Sequence, residues 1–272
     1  MNRRPQPSAI FRRPGFWVPG LAFVPAAIVC YFPALFGERI WDDHALLGWN
    51  PFVRSPWLIR ETFWQPLYPF ATADYFRPLQ SLSYLADYLV WGEAHFGYHL
   101  TNVLLHAASA VMLLSVLRRI LPQVWPPEQT HTPDWAAGLV ALLWLVHPVH
   151  HAAIGYVAGR ADSLAALCAL TGWFLYENAI VTERRSRRWI GLGGAVLFAM
   201  LALYAKEIAV AWLAVFLFYR LTFAKEDGWR RRALTAAVVL LLFASYGWHR
   251  NQVLSGDSGP RAPALPVLER FP

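Results

Sequence analysis

The chain has 272 residues, of which 57% are hydrophobic, 15% are aromatic and only 15% are charged. This composition excludes an ordinary soluble domain and is typical of a membrane protein. The net charge of +7 does not indicate nucleic-acid binding, because the basic residues occur in short clusters beside apolar segments, where they act as topology signals. We therefore predict an all-α, polytopic membrane helical bundle with no nucleic-acid partner.

Apolar segments of membrane length recur along the chain. A helix needs about 20 residues to cross a hydrocarbon core of about 30 Å. The pattern predicts about seven spans, near residues 16–36, 98–120, 135–157, 161–181, 190–205, 208–222 and 233–249. The fifth and sixth are separated only by Lys206 and Glu207. A charge at the bilayer centre costs roughly 2.5–3.5 kcal/mol, so we expect the chain to break there, at a membrane surface.

The distribution of Lys and Arg predicts the orientation. Basic clusters precede the first span, follow the second and fourth, and precede the seventh, so all lie on one side, which is the cytoplasmic side. This predicts a cytoplasmic N-terminus (1–15), a transmembrane domain (16–249) with a long outer loop (37–97), and an irregular extracytoplasmic tail (250–272). We expect a bacterial inner membrane with a periplasmic site, or the endoplasmic reticulum membrane in a eukaryote.

The outer loop is rich in aromatic residues and contains one regular pattern. Leu79, Leu82, Leu85 and Leu89 recur at helical spacing. This spacing predicts an amphipathic helix that lies along the outer membrane surface.

Two adjacent carboxylates, Asp42 and Asp43, begin the outer loop. Helix capping or solvation would explain a single Asp at such a boundary. The other outer segments, however, supply cations and histidines, which are Arg77, Arg160, Lys206, His147 and His150. Carboxylates that face several cations at one membrane surface indicate chemistry on an anionic lipid.

Four further side chains have alternative interpretations. Asp162 either fixes Arg160 or caps the helix that begins near it, and Glu207 pairs with one of the cations. His147 and His150 either contact phosphate and sugar hydroxyls or are polar residues at a helix end.

Four sequence blocks carry a resemblance to a known family. They are "WDDHALLGWNPFV", "YFRPLQSLSYLADYLVWGEAHFGYHLTNVLLHA", "LVHPVHHAAIGYVAGRADSLAAL" and "LYAKEIAV". Their order and spacing are similar to those of the transmembrane and tetratricopeptide-repeat O-mannosyltransferase family, which belongs to the GT-C class of membrane glycosyltransferases. The resemblance extends over about residues 38–215.

The resemblance implies a mechanism. The donor is a polyprenyl- or dolichyl-phosphate sugar, such as a mannose, and the acceptor is a hydroxyl of a protein Ser or Thr or of a glycan. Asp42 or Asp43 acts as general base, the sugar passes through an oxocarbenium-like state, and its configuration inverts. Arg77, Arg160 and Lys206 hold the phosphate leaving group, which needs no general acid.

The remaining expectations concern cofactors, partners and alternatives. We expect no cofactor and no divalent metal, because two adjacent Asp residues are a thin ligand set. Members of the family are longer, which makes a fragment, or a second subunit that supplies further helices or repeats, an alternative to a self-sufficient enzyme. The rival functions are a component of a lipid-linked-sugar transporter or flippase and a non-catalytic membrane scaffold.

Overall fold

The computed structural model describes residues 18–48, 50–68, 75–124, 134–224 and 228–255. These residues are predominantly helical and include no β-strand, which confirms the all-α prediction. The predicted N-terminus, 1–15, and the part of the predicted tail after residue 255 lie outside the described residues.

The described residues form ten α-helices, and a long outer loop separates the second from the third. In the first half they are α1 (Val18–Leu21), α2 (Phe23–Cys30), α3 (Pro78–Trp91), α4 (His95–Val124) and α5 (Asp134–Val146). In the second half they are α6 (His151–Ile154), α7 (Arg160–Val181), α8 (Arg185–Ala205), α9 (Ala209–Thr222) and α10 (Trp229–Leu254). Between α2 and α3 the described residues include five short segments of 3-10 or π-helix, namely Phe32–Phe36, His44–Gly48, Pro51–Val53, Pro56–Leu58 and Glu61–Phe63.

Helix α7 forms the centre of the bundle. It packs between α4 and α8 along its length, and most of its residues are buried. At 1.5 Å per residue its 22 residues extend about 33 Å, so its two ends define two ends of the molecule. We call the end at Arg160 the site end and the end at Val181 the basic end.

The prediction of about seven spans is not confirmed. Within the described residues, three helices are long and apolar enough to cross a membrane, namely α4, α8 and α10. A fourth span results if α5 and the bent segment that follows it, Pro148–Ile154, are counted together. The first predicted span, 16–36, is divided into α1, α2 and a 3-10 turn. Helix α7 is enclosed by other helices, so it can carry polar residues that a lipid-facing helix could not.

Two helix breaks have clear local causes. The chain bends by 46° between α5 and Pro148–Ile154, because a proline cannot donate the helical hydrogen bond and clashes with the preceding turn. The second break lies between α8 and α9, where Lys206 is extended and Glu207 lies in a turn. The predicted interruption at these two charges is therefore confirmed.

The buried face of helix α3 contains polar residues beside Leu85 of the predicted leucine stripe. Leu89 is exposed, whereas Gln80, Ser81 and Asp87 are buried against the bundle. The polar side chains face inward because they are the hydrogen-bond partners of a neighbouring loop and of a buried arginine, and paired polar groups can be buried at low cost. The predicted helix is confirmed, and its placement along the outer membrane surface stays a prediction.

The basic end is held together by polar contacts between helix ends. Arg220 of α9 forms an ion pair with Glu177 of α7, with Nη1 3.0 Å from Oε1 and both side chains almost fully buried. Arg119 of α4 donates to Asn178, and Tyr176 and Thr235 join α7 to α10 with a 2.8 Å hydrogen bond. Four helices are thereby tied together at the end remote from Arg160.

We predict that Glu177→Ala destabilises the protein strongly. The substitution leaves the buried Arg220 guanidinium without its carboxylate, which costs about 3–5 kcal/mol for a buried pair. The midpoint of thermal unfolding in detergent measures this loss. Glu183→Ala, which removes the same group from an exposed position, is the control and should change the free energy of unfolding by less than about 0.5 kcal/mol. Equal stability of the two variants would contradict the prediction.

Candidate active site

The Asp43 carboxylate joins the outer loop to the start of α7. Its side chain is fully buried. Oδ1 accepts a 2.7 Å hydrogen bond from the backbone N–H of Ala158, and Oδ2 accepts 3.2 Å hydrogen bonds from the N–H groups of Val157 and Ile40. Three amide donors stabilise the ionised carboxylate, so Asp43 fixes two distant pieces of backbone against each other.

Side chains donate hydrogen bonds to the carbonyl groups of the same stretch, which we call the 156–158 segment. The Tyr156 carbonyl accepts a hydrogen bond from Asn102 Nδ2 at 3.1 Å. The Val157 carbonyl accepts from the Tyr84 hydroxyl at 3.0 Å, and the Ala158 carbonyl accepts from Gln80 Nε2 at 3.0 Å. Such pairing is required because buried backbone polar groups without partners are costly. The 156–158 segment is thus positioned by α3, α4 and the outer loop together.

Arg160 is a buried structural residue in this arrangement. Its side chain has no solvent exposure. Nε donates to Asn102 at 2.7 Å, Nη1 to the Ser83 carbonyl at 3.2 Å, and Nη2 to the Tyr98 carbonyl at 2.9 Å and to the Asp87 carboxylate. Nη1 also donates to the Ser83 hydroxyl at 3.4 Å, so five acceptors surround the five N–H donors of the guanidinium. The interpretation of Arg160 as a phosphate ligand therefore does not fit its surroundings.

Glycine precedes Arg160 for a steric reason. A Cβ atom on Gly159 would lie 2.3 Å from the Ala152 carbonyl oxygen. Only glycine allows the backbone to approach this closely, which brings α6 against the first turn of α7.

Asp42 is exposed, in contrast to its neighbour. Its carboxylate lies beside the side chain of Tyr68. Burial raises the pKa of Tyr68, and the charge and hydrogen bond of Asp42 raise it further. The phenol therefore stays protonated and can donate to Asp42, which leaves the other carboxylate lone pairs free to meet a ligand.

Arg77 and Glu207 form an ion pair between α3 and the break that follows α8. Nε and Nη2 of Arg77 lie 3.1 and 2.5 Å from the two Glu207 oxygens, in a bidentate arrangement. The Arg77 guanidinium also stacks on Tyr75, 4.6 Å from the ring centroid. Burial raises the pKa of Glu207, but the hydrogen bond and charge of Arg77 outweigh it, so the pKa lies below its ordinary value and Glu207 is ionised.

Lys206 and Asp162 form a second ion pair beside the first. Nζ lies 2.8 Å from Oδ2, and both side chains are partly exposed. Helix α7 begins at Arg160 with Gly159 as its N-cap, so the prediction that Asp162 caps this helix is wrong, as is the prediction that it fixes Arg160. Asp162 lies in the first turn of α7, where a negative charge is favourable.

Asp42, Asp43, Asp162 and Arg77 lie near enough to one tyrosine, Tyr156, to affect its pKa. Burial raises the pKa of Tyr156, and the charges of Asp162, Asp42 and Asp43 raise it further while Arg77 lowers it. Charges act in this way only over short distances, so these four groups lie near Tyr156 at the site end. The convergence of outer-loop acids with Arg77, Arg160 and Lys206 on one ligand stays a prediction.

His147 and His150 form an aromatic cluster at the bend after α5. His147 Nδ1 accepts from the Val149 N–H at 3.2 Å, in the manner of a cap. The His150 ring lies 4.4 Å from Trp144 and 5.0 Å from His106, measured between centroids. These contacts favour the interpretation of both histidines as polar residues at a helix end.

Several residues of the site have no signal in the sequence. Asp87, Asn102, Tyr84 and Gln80 lie on helices whose polar positions could equally face solvent, and Tyr68 is one of many aromatic residues in the outer loop.

Within the described ranges, no three His, Cys, Asp or Glu side chains are grouped as metal ligands would be.

We predict that only one of the two neighbouring aspartates contributes to stability. In Asp43→Asn one oxygen becomes an NH₂ group that faces an amide N–H, so at least one buried hydrogen bond is lost, at a cost of about 1–3 kcal/mol. Asp42→Asn, at an exposed position, should leave the thermal midpoint unchanged. Hydrogen exchange adds a local measurement, because the Val157 and Ala158 amides should exchange faster only in Asp43→Asn. Protection that is unchanged in this variant would be inconsistent with the proposed contacts.

Comparison with known proteins places the chain near one group. No family model matches it, and no solved structure matches it significantly. It is 31% identical over 197 residues to Protein O-mannosyl-transferase Tmtc2 of Drosophila melanogaster, which covers 70% of this chain and 20% of that protein. It is 31% identical over 217 residues to Protein O-mannosyl-transferase Tmtc1 of the same organism, which covers 76% of this chain and 23% of that protein.

A human relative gives the same result. The chain is 29% identical over 213 residues to Protein O-mannosyl-transferase TMTC4 of Homo sapiens, with 75% of this chain and 28% of that protein covered. The chain therefore spans only about a fifth to a quarter of the length of these curated relatives. Across 70% or more of its own length, it resembles the transmembrane and tetratricopeptide-repeat O-mannosyltransferase family, as the four sequence blocks predict.

Proposed function

We propose that the protein is a membrane glycosyltransferase that transfers a sugar from a polyprenyl-phosphate donor to a hydroxyl acceptor. One observation carries the proposal: an exposed carboxylate, Asp42, lies beside Tyr68 at the same end of the bundle as the cations Arg77 and Lys206. The names of the relatives favour mannose as the sugar and a protein as the acceptor.

Asp42 is the proposed general base. It takes the proton of the acceptor hydroxyl, and the acceptor oxygen forms a bond to the anomeric carbon. The bond from that carbon to the phosphate oxygen breaks, and its electron pair leaves with the phosphate. Attack from the face opposite the leaving group inverts the configuration. Asp43 has no free oxygen for this task, because its carboxylate is buried and accepts three amide hydrogen bonds.

Arg77 and Lys206 are the proposed phosphate ligands. Each is paired with a carboxylate that is itself partly exposed, Glu207 and Asp162 respectively. A lipid phosphate can replace such a carboxylate as the acceptor of the same donors, because Arg and Lys bind both kinds of anion. Arg160 takes no direct part; it holds the 156–158 segment through Asn102. The leaving phosphate needs no protonation, and we expect no divalent metal.

The orientation follows from the separation of the two ends. The exposed arginines at the start of α8 and α10 would lie in the cytoplasm, where positive residues are enriched. The site end then faces the periplasm or the lumen, at the depth of the lipid headgroups, so that the phosphate meets cations while the prenyl chain stays in the membrane. A second subunit that contributes further helices is compatible with this placement.

We predict that Asp42→Asn abolishes sugar transfer while the protein still folds. Loss of a general base lowers the rate by about 100- to 10,000-fold. The measurement is the transfer of radiolabelled mannose from a polyprenyl phosphate donor to a Ser/Thr-containing acceptor by the membrane-embedded chain. Glu38→Gln is the matched control, since Glu38 is an exposed acid just before the same site, and it should transfer at the wild-type rate. Normal transfer by Asp42→Asn would refute the assignment of the base.

We predict that Arg77→Gln raises the KM for the donor. The variant loses the bidentate donor pair that would bind the phosphate, and hydrogen bonds to charged groups contribute about 1.5–3 kcal/mol, which corresponds to about 10- to 150-fold in affinity. The KM for the acceptor should not change. Arg60→Gln makes the same charge change at an exposed position of the outer loop and serves as the control. An equal rise in KM for both variants would indicate a general effect of surface charge instead.

A further inference from the structure

Trp41 combines an unfavourable backbone conformation with an exposed side chain. Its φ of +47° is the only positive value for a non-glycine residue in the described part of the chain. For a residue with a β-carbon this region is sterically costly. The indole does not recover this cost by burial, because the side chain is 80% exposed. Strain without a packing gain is typical of functional positions.

The buried Asp43 carboxylate holds this conformation in place. It accepts a hydrogen bond from the Ile40 N–H at 3.2 Å, and its own N–H donates to the Ile40 carbonyl at 3.0 Å. Trp41 is thus enclosed in a turn that two hydrogen bonds close. The same carboxylate accepts from Val157, the residue that follows Tyr156. One side chain therefore fixes the backbone beside both aromatic residues.

The two rings lie together beside the candidate base. Their centroids are 6.2 Å apart and their planes are inclined at 68°. Asp42, which follows Trp41 in the chain, is exposed next to them. The carbonyl of Tyr156 is held by Asn102, which in turn binds the guanidinium of Arg160. The position of the second ring is therefore fixed as firmly as that of the first.

This arrangement suits a pyranose ring. One face of such a ring presents C–H groups, which pack on the electron-rich face of an aromatic side chain, while its hydroxyl groups donate to carboxylates. Exposed aromatic faces with a few convergent polar groups are the usual composition of a small-molecule site. An anchor in the membrane interface would need only the exposed indole, and neither the strained backbone nor the second ring.

We propose that Trp41 and Tyr156 form a stacking subsite for the sugar ring of the lipid-linked donor, next to Asp42. The inference deepens the proposed function and rests on it. Trp41 would hold the pyranose so that its anomeric carbon lies between the carboxylate and the phosphate-binding cations. The subsite recognises the sugar, whereas Arg77 and Lys206 recognise the phosphate.

The test compares two lipids that differ only in the sugar. The full chain in lipid nanodiscs is titrated with radiolabelled mannosyl phosphoryl polyprenol and, separately, with the same polyprenyl phosphate without mannose. Trp41→Ala should weaken binding of the mannosylated lipid by about tenfold, the effect expected of one aromatic contact, and should leave binding of the sugar-free lipid unchanged. Trp57→Ala is the matched control, because Trp57 is 91% exposed in the same loop, and it should bind both lipids normally.

A second variant separates recognition from folding. Glycine adopts positive φ without steric cost, so Trp41→Gly should be at least as thermally stable as the wild type while it loses sugar recognition to the same extent as Trp41→Ala. A lower midpoint of thermal unfolding would show that the indole serves the packing of the loop, and the subsite assignment would be overturned.

The remaining outcomes distinguish the subsite from the function as a whole. If the wild type prefers the mannosylated lipid and Trp41→Ala keeps that preference, the subsite is wrong and the proposed function stands. If Trp41→Ala weakens both lipids equally, Trp41 is a membrane anchor and the subsite is again wrong. If the wild type binds neither lipid, the proposed function and the subsite are both wrong.

Discussion

The site end depends on how the backbone of the 156–158 segment is satisfied. This segment forms neither a long helix nor a strand, and it is too enclosed for water to pair all of its polar groups. An Asp43 carboxylate from the outer loop takes two of its N–H groups, and side chains of α3 and α4 take its carbonyls. These hydrogen bonds therefore form a rigid junction of four chain segments, namely the outer loop, α3, α4 and the 156–158 segment.

That junction explains why adjacent residues have different roles. Asp43 and Arg160 are buried and fully engaged, so they determine geometry. Asp42 and Arg77 lie just outside them and retain capacity for a ligand. Preorganisation of this kind is what a transferase needs, because charges that are already in place require no reorganisation when the reaction occurs.

The two ends of the bundle use charge in different ways. At the basic end the Arg220–Glu177 pair is almost fully buried. At the site end the Lys206–Asp162 pair is partly exposed. A buried pair that loses one member is costly, whereas an exposed pair exchanges partners at little cost. The exposed pairs are accordingly suited to bind an anionic headgroup.

The sequence by itself determined the helical class, the break at Lys206 and Glu207 and the family resemblance, because each depends on local hydrophobicity, local charge or order along the chain. It did not determine the number of spans, the buried face of α3 or the role of Arg160, and it could not say which aspartate was exposed. Those features depend on partners from distant helices, such as Asp87 for Arg160 and Val157 for Asp43. Adjacent side chains point in different directions, so only the tertiary structure decided that Asp43 accepts hydrogen bonds from the backbone and that Asp42 is exposed.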